Sequence, residues 1–299
     1  MTGNSRWPAL VYSLSMPTPS TLIRSLLPFL LLWLGGCTSF DALQSRLIFQ
    51  PTDQQIASGA IDSQTMKNVW INYFSWETGD NVHLHGLWQE AERPASGAPV
   101  VLYLHGSRWD VVSSAFRIRR LEELGFSVLG IDYRGFGKSE ADLPSENMAY
   151  EDARAAWKWL AARYPDRPRY IYGHSLGGAI AIELASRVDD ESGTIVEGTF
   201  TSIPDVFHSF SFGWLPLAPL ITQRFASVEK VAGGIGSPLL IVHGSNDRLI
   251  EPALGRKLFE AAGDSRKRFL LIEGGTHRNT LTLGIEQYRQ ALAELFKIQ

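Results

Sequence analysis

A serine lies at the centre of the sequence GHSLG, residues 173–177, which has the pattern G-x-S-x-G. A short apolar run typical of a strand precedes this pattern, and a run typical of a helix follows it. In such a strand–turn–helix unit the turn exposes the serine Oγ at the carboxyl edge of a sheet, and the helix directs free N–H groups towards it. Glycine is expected at Gly173 and Gly177, because strand and helix come too close there for a side chain. The pattern therefore predicts that Ser175 is a nucleophile.

A serine nucleophile needs a base, because its hydroxyl does not ionise at neutral pH, and histidine is the side chain best suited to accept the proton. The chain has seven histidines. His277 lies on a glycine-flanked turn directly after the last predicted strand, which would place it at the same sheet edge as Ser175. Four other histidines fit less well. His105 and His243 lie at strand ends where ring packing is expected. His174 is beside the serine but is expected to point away from it, and His208 lies in an insert.

The histidine in turn needs a carboxylate that fixes its tautomer and stabilises the cation formed during the reaction. Asp247 follows a buried strand by a few residues and is the favoured candidate. Asp205 and Glu197 are the alternatives, because they lie at or past the end of the preceding predicted strand and that edge can also reach the histidine. A loop-capping role is the structural alternative for Asp247.

Two backbone N–H groups are expected to stabilise an oxyanion at this edge. One belongs to Leu176, directly after the nucleophile, because the turn itself directs this group towards the reacting carbon. The other belongs to Ser107, after a His-Gly turn at the end of another strand, with Arg108 as its alternate.

The elements that would hold these residues follow an alternating pattern. From Ala98 onwards, apolar runs alternate with helical segments, which is typical of βαβ units and a parallel sheet with helices on both faces. Before them, residues 69–75 and 82–88 are β-branched and aromatic runs separated by TGDN, which predicts an antiparallel hairpin. The sequence thus predicts an α/β domain with a mostly parallel central sheet and an N-terminal hairpin. The remaining strands are expected near residues 100–104, 127–131, 170–172, 193–200, 237–244 and 268–275.

The motifs as a set, HGS, DYRGFGKS, GHSLGG, HGSNDRLIEP and GGTHRN, resemble those of the serine-nucleophile α/β-hydrolases, from about Val69 to the end of the chain. The similarity is greatest to small-lid esterases, lysophospholipases and serine-aminopeptidase-like hydrolases. It implies the α/β-hydrolase fold, the triad order Ser, Asp, His, no cofactor, and an architectural role for Asp132 and Arg134. The sequence departs from the family pattern at Glu140 and Thr276, where glycine is frequent.

Residues 201–236 form an insert that is too apolar for an ordinary surface loop. In such a hydrolase this insert would be a short helical lid whose apolar side chains line an acyl pocket, although a purely structural cap is the alternative. The pocket residues expected from the sequence are Phe207, Phe210, Trp214 and Leu217.

The predicted function is cleavage of carboxylic esters with an apolar acyl group, through an acyl-enzyme intermediate and without a cofactor. The substrate would be a small-molecule or lipid ester. An acyltransferase, a thioesterase or a peptidase would use the same triad, so the sequence does not separate these activities. A non-catalytic binding protein of the same fold would be expected to lack part of the triad, whereas here all three positions are filled.

The composition narrows the possible partners. The 299 residues are 44% hydrophobic and 20% charged, which favours one globular domain. A net charge of -3 and the lack of a concentrated basic run argue against a nucleic-acid partner. His83 and His85 lie two apart on a predicted strand, but no third ligand is evident nearby, so we expect strand-surface histidines and no metal site. The sequence does not indicate an oligomeric state.

The N-terminus has the features of an export signal. Arg24 precedes a short apolar run, residues 26–34, that is too short to span a bilayer. Residues 34–37, LGGC, resemble the lipobox of bacterial lipoproteins, and Cys37 is the only cysteine; a plain signal peptide is the alternative. The resemblance implies cleavage before Cys37, a diacylglycerol on its thiol and anchoring in a membrane. With Thr38 next, the outer membrane, on its periplasmic side, is favoured.

These features divide the chain into three predicted parts. Residues 1–36 are the signal peptide, and Met16 could be the true start because a complete signal follows it. Residues 37–67 are an anchor and lead-in segment. Residues 47–51 are a short apolar stretch stopped by proline, and the polar run that follows, through Lys67, is expected to wrap the surface. Residues 68–299 are the hydrolase domain, with the lid at about 201–236.

Overall fold

The computed structural model describes residues 40–51, 57–92, 97–210, 213–216, 218–263 and 266–298. Contacts divide the chain into Met1–Asp41 and Ala42–Gln299. The predicted signal peptide and lipidation site Cys37 lie outside the described residues, as does Leu217 of the predicted acyl pocket. All strands described below belong to the larger unit.

An eight-stranded sheet forms the centre of this unit, in the order β1-β2-β4-β3-β5-β6-β7-β8. Its strands are β1 (Lys67–Phe74), β2 (Asn81–Gln89), β3 (Val100–Leu104), β4 (Ser127–Ile131), β5 (Arg169–His174), β6 (Gly193–Glu197), β7 (Leu239–Gly244) and β8 (Lys267–Ile272). β1 pairs antiparallel with β2, and β2 pairs antiparallel with β4. All other neighbours are parallel. The predicted fold, a mostly parallel sheet that begins with a hairpin, is confirmed.

The apolar sequence of the central strands reflects burial on both faces. In β3 every residue is buried, and alternate residues enter different cores: Leu102 packs in one apolar cluster, whereas Val101 and Tyr103 pack in the other. Side chains of a strand point alternately to opposite faces, so a strand with both faces covered must be apolar throughout. The edge strand β1 is largely exposed, with only Ile71 fully buried.

The helices and short helical turns cover both faces and link the strands. The described helices are α1 (residues 40–49), α2 (Ala57–Asp62), α3 (Ala115–Glu123), α4 (Glu146–Arg163), α5 (Leu176–Ala185), α6 (Ile203–Ser209), α7 (Ser227–Gly233), α8 (Pro252–Ala261), α9 (Thr280–Leu283) and α10 (Ile285–Phe296), and the described 3-10 turns are Ser63–Thr65 and Ala218–Leu220. The insert at residues 201–236 therefore contains α6, one 3-10 turn and α7. None of the described helices combines the length and the hydropathy that a membrane span requires.

The described part of the lead-in segment packs on the domain through its apolar residues. Phe49, at the end of α1, is fully buried and its ring meets that of Phe225 in the insert, with centroids 5.8 Å apart. α2 packs closely on the chain before α3, because a Cβ on Gly59 would lie 2.4 Å from the carbonyl oxygen of Val112. The lead-in segment thus contributes apolar side chains to the core.

The turn after β4 has the architectural role that the family resemblance implies. Asp132 is buried and accepts a hydrogen bond from the backbone N–H of Val111 at 2.7 Å. Arg134 is also buried and donates to the carboxylates of Asp152 and Glu151 at 2.9 and 2.8 Å. These bonds tie the turn to the start of α3 and to α4.

One of the two strand histidines is not at the surface. His83 is exposed as expected, but His85 is fully buried, with Nδ1 2.7 Å from Asp132 and Nε2 2.7 Å from Asn68. The prediction for His85 was wrong because Asp132, at the end of the neighbouring strand, reaches the ring and the indole of Trp70 lies 5.2 Å from it. No cluster of three or more metal-ligating side chains occurs among the described residues.

Candidate active site

Ser175 occupies a sharp turn between β5 and α5. Its backbone has φ 57° and ψ −122°, a conformation that non-glycine residues rarely adopt. A Cβ on Gly173 would lie 2.2 Å from the carbonyl oxygen of Gly177, and one on Gly177 would lie 2.1 Å from that of Leu104. Both positions therefore require glycine, for the reason that the sequence indicated. The turn holds the serine at the carboxyl edge of the sheet.

The structure brings the predicted serine, histidine and aspartate together. His277, on the turn between β8 and α9, has its Nε2 3.0 Å from Ser175 Oγ. Its Nδ1 lies 2.7 Å from Oδ2 of Asp247, which is on the loop between β7 and α8. The other oxygen of Asp247 accepts the backbone N–H groups of Leu249 and Ile250, each at 2.9 Å. The three side chains are thus linked in the order needed for proton transfer from the serine.

The surroundings of Asp247 keep it ionised. Burial alone would raise the pKa of this carboxyl, but hydrogen bonds from His243, His277 and the Ile250 backbone outweigh burial and hold the pKa well below its usual range. An ionised Asp247 accepts the Nδ1–H of His277, so the Nε2 lone pair of the ring faces the serine hydroxyl. This is the tautomer that a general base requires.

The two alternative carboxylates have other partners. Glu197, at the end of β6, accepts hydrogen bonds from Arg117 and from the hydroxyl of Tyr288, both at 2.7 Å. Asp205, in the first turn of α6, accepts from the hydroxyls of Thr201 and Ser202 at 2.5 and 2.9 Å. The His277 ring nitrogens are already used by Ser175 and Asp247, so the geometry favours Asp247 as the acid.

The other histidines serve packing or backbone contacts. The buried ring of His105 packs between Tyr133 and Phe136, and burial lowers its pKa. His243 Nε2–H donates to the carbonyl of Ile250 at 2.9 Å. These contacts agree with the expected ring packing at the two His-Gly strand ends. The His174 ring contacts the backbone carbonyl of His277, and the His208 ring contacts the backbone carbonyl of Gly213.

The predicted oxyanion donors lie beside the serine. Leu176 is the first residue of α5, so its N–H has no partner within the helix. Gly106, next to Ser107, is so close to the nucleophile that a Cβ there would lie 3.0 Å from that of Ser175. The N–H of Arg108, the alternate donor, is bonded to the carbonyl of Phe49 at 2.7 Å. This contact favours Ser107 over Arg108 as the second donor.

An open cleft of about 530 Å³ lies beside His277. Its lining includes two arginines and no carboxylate, and its residues are Asn246, Arg248, Leu249, Thr276, His277 and Arg278. The guanidinium of Arg278 lies over the ring of Trp109, 4.5 Å from the centroid. The cleft therefore carries two cationic side chains, Arg248 and Arg278, on the histidine side of the site.

The predicted acyl-pocket residues do not line this cleft. Phe207 is half-buried on α6, whereas Phe210 and Trp214 are 39% and 80% exposed. The insert does begin close to the triad, since α6 starts a few residues after Gly198. The role of these side chains in binding an acyl group remains a prediction.

Comparison with known proteins identifies the family. The model of the family described as "Serine aminopeptidase, S33" matches residues 96–226 and 218–281. The chain belongs to this family. An uncharacterised protein of Mycobacterium tuberculosis is 31% identical over 247 residues, which is 82% of this chain and 84% of the relative. The lysophosphatidylserine lipase ABHD12 of Danio rerio is 31% identical over 282 residues, covering 79% of this chain and 73% of the lipase.

Solved structures share the fold of this chain. The esterase Pf2001 of Pyrococcus furiosus superposes with a TM-score of 0.64 at 21% identity, over 83% of this chain and 98% of the esterase. Est1E of Butyrivibrio proteoclasticus, solved with ferulic acid, gives a TM-score of 0.59 at 18% identity, over 72% and 96% of the two chains. The fold is thus that of the α/β-hydrolases. Because the chain also belongs to the serine aminopeptidase family S33, it is a serine hydrolase.

The two departures from the family motif are accommodated by local hydrogen bonds. The backbone of Glu140 donates to the carbonyl of His83 at 2.9 Å and accepts from the N–H of Gly135 at 2.9 Å. Thr276 donates to the side chain of Asn279 through its N–H and its hydroxyl, at 2.7 and 2.8 Å. Neither substitution displaces a member of the triad.

Gly198 is a site residue that the sequence analysis missed. It follows β6 with φ +57°, and a Cβ there would lie 3.3 Å from Nδ1 of His277 and 3.5 Å from Oδ2 of Asp247. A glycine directly after a predicted strand, in the sequence EGTF, is a signal that could have been used. The positive φ favours glycine at this position, and a side chain there would press on the imidazole.

We expect Gly198→Ala to lower kcat/KM for a p-nitrophenyl ester by about tenfold or more, because the added methyl displaces the imidazole from its bond to Asp247. Gly79→Ala is the matched control, since Gly79 also has a positive φ, +79°, and a Cβ there has no neighbour within 4 Å. Steady-state kinetics and circular dichroism of both variants make the comparison. A Gly198→Ala variant with unchanged kcat/KM would show that the imidazole does not need this space.

Proposed function

We propose that this S33-family chain hydrolyses carboxylic esters with an apolar acyl group through an acyl-enzyme intermediate. The observation that carries the proposal is the linked pair of contacts from Asp247 to His277 and from His277 to Ser175, at 2.7 and 3.0 Å. The names of the lipase and esterase relatives support ester bonds as the target.

The first half of the reaction forms the acyl-enzyme. Ser175 Oγ attacks the ester carbonyl carbon while His277 Nε2 accepts the hydroxyl proton. The carbonyl oxygen becomes an oxyanion that accepts hydrogen bonds from the N–H groups of Leu176 and Ser107. When the tetrahedral intermediate collapses, the C–O bond to the alcohol breaks and His277 gives its proton to the leaving oxygen.

The second half repeats these steps with water. His277 takes a proton from water as the water oxygen attacks the acyl carbon, and a second oxyanion forms in the same hole. Collapse breaks the bond to Ser175 Oγ, which regains the proton from His277, and releases the carboxylic acid. Asp247 stays ionised throughout and stabilises the imidazolium. Transfer to an alcohol, or cleavage of a thioester or a peptide, would use the same groups with another acceptor or leaving group.

An apolar acyl group is favoured by the insert that follows the site. α6 begins five residues after Gly198, and Ile203 and Val206 of this helix pack against the main core cluster. Under this proposal the half-buried Phe207 on the same helix contacts the acyl chain. A short helical insert of this kind can cover a bound chain and exclude water from the reaction.

Ser175→Ala should abolish labelling by a fluorophosphonate probe and lower kcat for p-nitrophenyl butyrate by about 10⁴-fold or more, because the nucleophile is lost while the oxyanion donors remain. Ser186→Ala, which removes a hydroxyl at the other end of α5, should label and turn over like the parent protein. Gel fluorescence and steady-state rates measure both. Labelling that persists in Ser175→Ala would place the nucleophile at another residue.

The acyl preference is tested by chain length. We expect kcat/KM to rise from p-nitrophenyl acetate to the octanoate by about fourfold for each methylene that the site buries, since each contributes about 0.8 kcal/mol, and Phe207→Ala to flatten this rise. Trp76→Ala, at a side chain that is 87% exposed in the hairpin turn, is the control and should keep the parent profile. A parent enzyme indifferent to acyl length would contradict an apolar acyl site.

We also propose that the chain is an exported lipoprotein held in the outer membrane, on its periplasmic side, by acyl chains on Cys37. The lipobox-like sequence LGGC supports this proposal. The described larger unit begins a few residues later with α1, whose Leu43 and Leu47 are 52% and 62% exposed. The side-chain oxygen of Gln44 in α1 accepts a hydrogen bond from the backbone N–H of Thr222 at 2.9 Å, which links α1 to the insert. Two or three acyl chains would anchor the protein firmly.

Cys37→Ser should abolish palmitate incorporation and move the protein from the membrane to the soluble fraction, because the thiol is the only site for a thioether-linked lipid in this chain. Thr38→Ser is the control and should fractionate with the membrane. Radiolabelled palmitate and fractionation by ultracentrifugation measure the outcome. A Cys37→Ser protein that still sediments with the membrane would rule out lipidation as the main anchor.

A further inference from the structure

A buried ion pair lies beneath the turn that carries His277. Arg117 of α3 donates from Nη1 to Oε1 of Glu197 at the end of β6, at 2.7 Å, and the two side chains are 3% and 1% exposed. Neither residue belongs to the triad, and burying two charges is costly unless their geometry and hydrogen bonds compensate. The position of the pair therefore calls for an explanation.

Both charged groups are fully engaged with the site around them. Burial alone would lower the pKa of Arg117, but Glu197 raises it above its usual range, so the guanidinium stays charged. The second oxygen of Glu197 accepts the hydroxyl of Tyr288 at 2.7 Å and that of Tyr172. Glu197 is thus fixed from three elements: α3, β5 and α10.

Arg117 also holds the backbone of the histidine turn. Its Nη2 donates to the carbonyl oxygens of Arg278 and His277, at 3.2 and 3.5 Å. The His277 carbonyl has a second donor, His174 Nε2, at 2.9 Å. Burial, with Arg117 and His277 nearby, lowers the pKa of His174 well below its usual range, so this ring is neutral and donates through one N–H. The backbone of His277 is therefore held from below by α3 and β5.

We propose that Arg117 and Glu197 are positioning residues for His277, with Arg117 fixing its backbone carbonyl and Glu197 balancing the positive charge beneath the imidazole. The proposal rests on the assignment of His277 as the general base under the proposed function. It gives Glu197 a role distinct from that of a triad acid, since the carboxylate acts through Arg117 and not on the imidazole Nδ1.

The proposal makes a specific prediction about pH because the two charges oppose each other near one imidazole. Other titratable or charged groups also face His277, and they stay in place in every variant: Asp247 from the β7–α8 loop, His174 from β5, and Arg248 and Arg278 from the cleft. Removing only one member of the Arg117–Glu197 pair changes the net charge beneath the ring by one unit. Because Arg117 contacts the backbone carbonyl of His277 itself, we expect such a change to shift the acid limb by about one pH unit.

The effect of the charge change is measured on the acid limb of the pH profile of kcat/KM, because this limb reports protonation of the general base. In Arg117→Gln the unpaired Glu197 carboxylate favours the imidazolium, so the limb should move to higher pH by about one unit. In Glu197→Gln the unpaired guanidinium disfavours the imidazolium, so the limb should move to lower pH by a similar amount. The double variant should return the limb to the parent position but keep a kcat about tenfold below the parent, because the donor to the carbonyl is still absent.

Two further variants separate positioning from stability. Arg117→Lys keeps the charge but offers its donors from a single nitrogen and not from a planar fork, so it does not reproduce the geometry that reaches Glu197 and both carbonyls. It should leave the limb in place and lower kcat. Arg134→Gln breaks a second buried arginine–carboxylate network, and it should lower the melting temperature without moving the limb. If one of the single variants fails to fold, the double variant Arg117→Gln/Glu197→Gln and the variant Arg117→Lys still allow the position of the limb and kcat to be measured.

Opposite shifts in the two single variants, cancelled in the double variant, would support the proposal. Shifts in the same direction, or a limb that moves by less than about 0.3 units in all variants, would overturn it. Loss of this proposal leaves the proposed function intact as long as Ser175 is labelled by fluorophosphonate and required for hydrolysis. Absence of Ser175 labelling in the parent protein would instead reject the proposed function.

Discussion

The close approach of α5 to the sheet at Ser175 is the constraint on which the rest of the site depends. Gly173 and Gly177 allow helix and strand backbones to meet without a Cβ between them, so the serine must take a left-handed backbone. Such a conformation costs a non-glycine residue about 1–3 kcal/mol. It is held by bonds on both sides, from Ser175 N–H to the Glu197 carbonyl and from Gly178 N–H to the Ser175 carbonyl, each at 2.9 Å.

The histidine and its acid reach this turn because their two loops are fastened to each other. Ser245 N–H donates to the carbonyl of Ile272 at 2.9 Å, and Asn246 N–H donates to that of Gly275 at 2.8 Å. These bonds extend the pairing of β7 with β8 beyond the sheet, so Asp247 and His277 arrive as one unit. Gly198, the residue after β6, leaves the space into which the imidazole fits. The triad is therefore assembled by adjacent strand ends of one sheet and by the contacts between their loops.

Most of the fold and the three triad residues could be predicted because they depend on local signals. Apolar runs, helix boundaries and the G-x-S-x-G turn are encoded by neighbouring residues, and parallel strands bring their carboxyl ends to one edge. The choice of Asp247 over Glu197 as the acid depends on which carboxylate points towards His277, and the position of a residue in the sequence does not show this direction. Arg117 lies in a helix with Arg119 and Arg120 nearby, so its sequence context gave no sign that it alone is buried. His85 was misplaced for the same reason, since its partner Asp132 is distant in sequence.

The lead-in segment illustrates how distant parts of the chain shape the oxyanion loop. The Phe49 carbonyl accepts the N–H of Arg108, and the Gln50 side chain accepts from its guanidinium at 2.7 Å. Gln50 and Arg108 both have positive φ, at 48° and 81°, so each of the two joined turns is strained and held by the other. With its N–H committed to Phe49, Arg108 cannot supply an oxyanion donor in this arrangement, which favours Ser107 for that role. The segment that follows the proposed anchor therefore supports the loop after β3, because it binds both the backbone N–H and the guanidinium of Arg108.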